Sequence, residues 1–229
     1  MKTNNLYALI VVLIVLVIGF FAWQSIAPTT PTSGETATST ATVTISFDHL
    51  VSDGAITVPY SSAQFGLATN KTQIVAKSYI PPCNEGFAYC LYYIGTDYQG
   101  TNFEAAGIRI SKRADLTTER LCLETPPSGF DVTKVADKKN SKDTYASSMF
   151  LGVGDAGAGH SAAGSLYRLF VRSTSTCYEF ETRIGQTQYA NYPAGTINEF
   201  TTANRTALQA QLQSMIDAIS LTSGEKKLF

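Results

Sequence analysis

His160 and Ser161 are adjacent residues whose types could support hydrolytic chemistry, and Asp155 supplies an acid nearby. A histidine oriented by an acid can act as a general base on a serine hydroxyl. All three lie in a glycine-rich stretch, residues 151–164, which lacks the Gly-Lys-Ser/Thr ending of a phosphate-binding loop. Adjacent residues of one loop rarely meet in triad geometry. Hydrolysis at His160 is therefore the alternative to a non-enzymatic role.

Four cysteines are the other candidates for reactive or metal-binding chemistry. Six residues separate Cys83 from Cys90, and Cys122 and Cys177 stand alone. Zinc sites instead use short C-x2-4-C pairs with supporting histidines. An even number of cysteines in a domain outside the cytoplasm favours two disulfides. The short loop predicts a Cys83–Cys90 bridge, and elimination leaves Cys122–Cys177. Neither a metal nor another cofactor is expected.

Tyrosines and small polar residues are concentrated in residues 92–103. Such surfaces bind sugars and peptides well, because aromatic rings bring contact area at little entropic cost. The candidate ligand surface consists of Tyr92, Tyr93, Tyr98, Asn102 and His160. The alternative is that half of these rings point into the core.

Charge and composition restrict the classes of function. The net charge is −1 at pH 7, charged residues make up 15% of the chain, and no long basic run occurs. Binding of nucleic acid through a basic patch is therefore disfavoured.

The N-terminal part of the chain has the pattern of a membrane anchor. Residues 6–23 carry no charge, and as a helix they would span roughly 27 Å of bilayer. Lys2 precedes them and the next basic residue is Lys71, which predicts a cytoplasmic N-terminus and an extracytoplasmic C-terminal domain. A cleaved signal peptide is the alternative, but its cleavage site would end at Ala27, directly before Pro28. The sequence therefore predicts a single-pass membrane protein.

Composition divides the chain into an anchor, residues 1–26, a linker, residues 27–43, and a domain, residues 44–229. The linker contains seven Thr, two Ser and two Pro. It cannot bury enough apolar surface to offset the entropy of ordering, so it is expected to act as a tether. The remaining residues are numerous enough to bury a core without depending on metals or disulfides.

Residue periodicity predicts mostly strands in this domain, with few helices. The predicted strands are 44–47, 65–67, 72–80, 88–94, 106–112, 149–153, 166–172 and 177–184. A short helix is predicted over 115–124, with Asp115 or Thr117 as its N-cap, and a loop over 126–144. A long amphipathic helix is predicted over 199–221. This pattern indicates an α+β fold in which both helices pack on an antiparallel sheet.

The run HSAAGSLYRLFVRSTSTCYEFETRIG, residues 160–185, followed by that helix, resembles the end of small secreted or membrane-anchored bacterial domains with a PsbP-like fold. The resemblance implies an antiparallel sheet sandwiched by helices, with a long C-terminal helix across it. It implies a fold more than a function, because the family is functionally diverse and mostly non-enzymatic.

The expected function is a membrane-anchored extracytoplasmic binding or structural module of the cell envelope. Its partner would be an envelope protein or a glycan. The alternative is an envelope hydrolase that uses His160 with a nearby Ser or acid.

Overall fold

Strands dominate the fold in the computed structural model, which describes residues 46–68, 87–127, 132–139, 143–152 and 156–229. The strands are β1 His49–Ser52, β2 Ile56–Tyr60, β3 Phe65–Ala68, β4 Phe87–Tyr93, β5 Phe103–Lys112, β6 Val132–Lys139, β7 Tyr145–Gly152, β8 Ala156–Gly157, β9 His160–Val171, β10 Thr176–Thr187 and β11 Ser220–Leu221. The helices are α1 Glu119–Glu124 and α2 Thr202–Asp217. Two short 3-10 helices span Arg172–Thr174 and Tyr189–Asn191.

The described residues form one large and one small antiparallel sheet. The large sheet has the order β3-β4-β5-β10-β9-β7-β6, and β8 pairs with β9. The small sheet has the order β1-β2-β11. β9 and β10 lie at the centre of the large sheet and pair along their whole lengths, from Thr176 opposite Val171 to Thr187 opposite His160. The predicted α+β class with an antiparallel sheet and helices is confirmed.

The first face of the large sheet carries the main core. Alternation along β10 places Tyr178, Phe180 and Ile184 on this face. α2 packs against it through four buried apolar side chains, Leu208, Leu212, Met215 and Ile216. The ring of Phe229 lies 5.3 Å from that of Tyr167 and 5.5 Å from that of Phe180, measured between centroids. Apolar burial on this face therefore holds α2 and the last residues of the chain to the sheet.

The second face of the same sheet is rich in charge and is covered at one end by α1. The Cys122–Cys177 disulfide joins α1 to β10, with 5.7 Å between the two Cα atoms. This bridge confirms the predicted pair. Cys90 is also disulfide-bonded, and its predicted partner Cys83 lies outside the described residues.

The C-terminal helix is shorter than predicted. α2 begins after Thr201, whose side chain accepts a hydrogen bond from the Asn204 amide while the Asn204 side chain accepts one from the Thr201 amide. It ends at Asp217, and of the apolar residues that follow, Ile219 lies between α2 and β11 while Leu221 belongs to β11, which pairs with β2. Ile219 and Leu221 are buried as the periodicity required. The apolar stripe thus continues from a helix into a strand, which spacing alone does not reveal.

Other predicted elements also differ from the structure, among them the short helix and the loop 126–144. The short helix starts at Glu119 with Thr118 as its cap, because the predicted cap Asp115 is engaged by the Arg113 guanidinium at 2.7 Å. The predicted loop 126–144 contains β6, which forms an edge of the large sheet. The side chains of residues 133–137 are exposed on both sides of this strand, so it has no apolar alternation. An edge strand of this kind lacks the pattern on which strand prediction depends.

The N-terminal predictions need a different correction. Residues 46 and 47 of the predicted strand 44–47 do not belong to a strand, since the first strand of the described residues begins at His49. The predicted strand 72–80 lies outside those residues. No helix in the part of the chain that the structure describes is long and apolar enough to cross a membrane. This finding contradicts the prediction of a single-pass membrane protein with an extracytoplasmic domain. The segments on which that prediction was based, 6–23 and the linker 27–43, lie outside the described residues.

Candidate functional site

His160 opens β9 at the end of the β8–β9 hairpin and contacts a carboxylate. Its Nδ1 lies 3.0 Å from Oε2 of Glu104, which belongs to β5. The two side chains are 28% and 14% exposed. Alternation along β9 places His160 on the second face, together with Arg168. The His160–Glu104 pair therefore lies on the second face of the large sheet, at the end opposite α1.

A cleft of about 480 Å³ opens beside His160. Its lining residues are Ala156, Gly157, Ala158, Gly159, His160, Ser161, Gln186 and Gln188. Ala158 and Gly159 form the turn of the hairpin with positive φ angles of 47° and 80°. The amide of Gln188 donates a 2.6 Å hydrogen bond to the carbonyl of Gly159, which ties the turn to the end of β10. Small residues keep the cleft open, and two glutamine amides supply its donors and acceptors.

Two tyrosines follow Gln188, a residue that lines the cleft, by one and four positions in the chain. Tyr189 and Tyr192 are each 39% exposed. The Tyr192 hydroxyl lies 3.0 Å from Oγ1 of Thr187, and Thr187 pairs directly with His160 across the strands. Sequence reasoning missed this segment, although its signal, tyrosines between Gln188 and Pro193, was of the same type as the one chosen.

The predicted ligand surface is largely core. Tyr92, Tyr93, Tyr98 and Asn102 are between 2% and 9% exposed. The rings of Tyr93 and Tyr98 pack against those of Phe103 and Phe200, with centroids 5.0 to 5.8 Å apart. This is the alternative that the sequence had left open, and of the five predicted residues His160 alone lines a described cleft.

Asn102 nevertheless supports the cleft. Its Nδ2 donates to the carbonyl of Thr187, and its Oδ1 accepts a 2.6 Å hydrogen bond from the Phe200 amide. Because Thr187 is the last residue of β10, these bonds fix the strand end from which the cleft is built. The buried side-chain amide of Asn102 thus has backbone groups as its hydrogen-bond partners.

Ion pairs fill the second face between His160 and α1. Arg168 is fully buried, and its Nε donates a 2.8 Å hydrogen bond to the Glu179 carboxylate. Arg113 contacts the same carboxylate at 2.7 Å. Glu181 is contacted by two further guanidiniums, those of Arg109 and Arg183. Carboxylates that each contact two guanidiniums are typical of a structural network rather than of a general acid or base.

The residues predicted to form a hydrolytic set are not brought together. Ser161 follows His160 on a strand, so their side chains point to opposite faces. Asp155 lies outside the described residues, and the acid found beside His160 is Glu104. Within the described ranges, no group of three His, Cys, Asp or Glu residues is placed to hold a metal. The residues around His160 can therefore form many hydrogen bonds, but the Ser161 hydroxyl is not placed to act as a nucleophile beside His160.

Comparisons with known proteins give a limited result. No family model matches the chain, and no curated protein matches it. The chain is similar to the crystal structure of the Saccharomyces cerevisiae Ran-binding protein Mog1p, with 12% identity, a TM-score of 0.39, and coverage of 77% of this chain and 96% of that one. A mutant of protein Mog1 gives 13% identity, a TM-score of 0.36, and coverage of 76% and 97%.

These results contradict the resemblance to small secreted or anchored bacterial domains with a PsbP-like fold. The solved structures named above are Mog1 proteins, and no family model supports the bacterial assignment. Similarity at this level does not indicate what the chain binds.

Proposed function

We propose that the chain is a non-enzymatic binding module whose ligand, a glycan, occupies the cleft beside His160. The observation that carries the proposal is the His160–Glu104 contact of 3.0 Å at a cleft lined by amides and small residues. An imidazole held by a carboxylate presents its other nitrogen in a fixed direction. Gln188 adds a carbonyl acceptor and two donors, and Gln186 adds two donors, because its Oε1 accepts from the Arg205 guanidinium.

The tyrosine segment that follows Gln188 favours a sugar over a smaller polar ligand. Tyr192 keeps a large part of its ring exposed while its hydroxyl is held by Thr187. A ring fixed in this way offers contact area at little entropic cost. A sugar suits a site with an exposed ring and two glutamine amides, since its ring can stack on the tyrosine. Each sugar hydroxyl can both donate and accept a hydrogen bond with the amides.

Hydrolysis is the second candidate, and the same His160–Glu104 contact favours it. An acid that hydrogen-bonds Nδ1 is the arrangement that orients a catalytic imidazole. Two observations weigh against it. Ser161 lies on the opposite face, and no carboxylate lies among the described residues that line the cleft. Glycoside hydrolysis commonly uses a pair of carboxylates across the scissile bond.

A glycan array probed with the purified full chain tests the proposal. Glycans that are retained should bind at least tenfold more weakly to the His160→Ala and Gln188→Ala variants. His49→Ala is the matched control, because His49 is exposed and lies on the small sheet. Unchanged binding by both cleft variants, or no retained glycan, would refute the proposal. Cleavage of a bound glycan that is lost in Glu104→Gln would favour the hydrolase instead.

A further inference from the structure

A second cavity lies between α2 and the first face of the large sheet, with a volume of about 250 Å³. We call it the Arg205 groove; its lining residues are Leu151, Gly152, Ala163, Gly164, Ser165, Thr182, Ile184, Arg205, Gln209 and Leu212. Leu212 and Ile184 are buried, whereas Leu151 is 46% exposed. The apolar side chains that line the groove thus include the half-exposed Leu151, and the one cationic side chain among its described lining residues is that of Arg205.

Arg205 differs from every other arginine in the chain. The sequence contains seven arginines, and six of them contact a carboxylate: Arg109, Arg113, Arg120, Arg168, Arg172 and Arg183. The Arg205 guanidinium instead donates from Nη2 to Oε1 of Gln186, which is neutral. Among the described acids, none forms an ion pair with Arg205. Arg205 therefore holds an uncompensated positive charge beside an apolar cavity.

The position of Arg205 on α2 strengthens this charge. It is four residues after the N-cap Thr201, and the first turn of α2 contains no acidic residue. The N-terminal end of a helix carries a partial positive charge, which disfavours a nearby cation and attracts an anion. Arg205 is thus placed where its charge does not stabilise the helix.

We propose that the Arg205 groove binds a small amphipathic carboxylate, an aliphatic acid of about eight carbons. The guanidinium fork would take the carboxylate through two parallel hydrogen bonds, while the hydrocarbon lies against Leu151, Ile184 and Leu212. A volume of about 250 Å³ corresponds to about eight water-sized groups of roughly 30 Å³ each. A chain of about eight carbons contains that number of similarly sized groups. The groove is smaller than the pockets of about 300 Å³ or more that take drug-sized ligands. This proposal does not depend on the glycan proposal.

Calorimetric titration of the full chain with octanoate, and with octanamide as the uncharged analogue, tests the charge requirement. Octanoate should bind at least tenfold more tightly than octanamide, and Arg205→Gln should remove this difference. Arg120→Gln is the control, because Arg120 is exposed on α1 and paired with Glu124 at 3.9 Å. Equal affinities in the parent chain, no binding at about 10 mM ligand, or a preference retained in Arg205→Gln would overturn the proposal.

A second variant tests the location. Ala163 is exposed in the groove, so Ala163→Leu should fill it and abolish binding of both ligands without changing the core. Melting temperatures of both variants report the fold, and that of Arg205→Gln should be unchanged or slightly raised because a cation leaves the helix N-terminus. Octanoate binding to a folded Ala163→Leu variant as tightly as to the parent would place the ligand elsewhere and overturn the assignment.

Discussion

The hydroxyl of Tyr178 donates a 2.7 Å hydrogen bond to the carboxylate of Asp53, 125 residues away in the chain. Lys112 contacts the same carboxylate at 2.7 Å. Asp53 lies in the turn between β1 and β2, so these contacts join the small sheet to the centre of the large one. Burial alone would raise the pKa of Asp53, but hydrogen bonds from Lys112, Tyr178 and the amides of Ala55 and Ile56 lower it to about 2.

Asp53→Asn should reduce the free energy of unfolding by about 2 kcal/mol at pH 7. The folded pKa lies below the ordinary value of 3.8, so the ionised carboxylate stabilises the fold above that pH. This stability is lost as the pH falls from about 4 towards 2. Urea unfolding at a series of pH values should therefore show the parent and the variant converging in acid. Asp137→Asn, an exposed site on β6, is the control. A constant difference down to pH 2 would contradict the assignment.

Replacing Cys122 and Cys177 together by alanine should lower the free energy of unfolding by about 4 kcal/mol. The bridge closes a loop with a sequence separation of 55, and the chain-entropy model gives this magnitude for a loop of that length. Urea unfolding of the double variant measures the loss. The parent with its disulfides reduced should show a loss at least as large. A double variant as stable as the oxidised parent would mean that the bridge does not restrict the unfolded chain.

Arg168→Met should cost about 3–5 kcal/mol, because it leaves a partly buried carboxylate with one fewer cation. Arg168 is fully buried, and Glu179 is its acid partner. Adding Glu179→Leu to Arg168→Met should restore part of the loss, since the carboxylate that retained only the Arg113 cation is then removed as well. Arg120→Met serves as the control, because exposed pairs contribute about 0–1 kcal/mol. If the double variant is no more stable than Arg168→Met, the two residues do not act as a pair.

The elements that sequence predicts well are those with one buried face. Ile108 and Ile110 alternate with polar residues on β5, as do Tyr178 and Phe180 on β10, and burial on the first face explains both patterns. β6 carries no such signal because its described side chains are exposed on both sides of the strand. Prediction from periodicity is therefore limited to strands that contribute to the core.

The candidate site depends on strand pairing and register, which the periodicity of the sequence does not reveal. His160 and Glu104 are 56 residues apart in the chain, and they meet only through the registers of β9, β10 and β5. Residue type also does not decide exposure for tyrosine, since its ring suits a core and its hydroxyl suits a surface. Composition alone therefore places Tyr93 on a surface although it packs in the core, and it does not distinguish Tyr93 from the half-exposed Tyr192.

Gly164→Ala should be among the most destabilising single-methyl changes in the large sheet. A Cβ at residue 164 would lie 1.9 Å from the carbonyl oxygen of Thr182, on the facing strand β10. The contact is with backbone, so it cannot be relieved by a side-chain rotation. The Thr182 hydroxyl also accepts a 3.0 Å hydrogen bond from the Ser165 amide, which restricts movement of the strands.

The expected loss for Gly164→Ala is about 3 kcal/mol, at the upper end of the usual cost of overpacking. Urea unfolding measures this loss, and Ala163→Ser, at the exposed neighbouring position, should change stability by less than about 0.5 kcal/mol. Because β9 carries His160 at its start, separation of β9 from β10 should also weaken the proposed binding of a glycan at the cleft. A Gly164→Ala variant as stable as the control would show that the two central strands are not in close contact at this point.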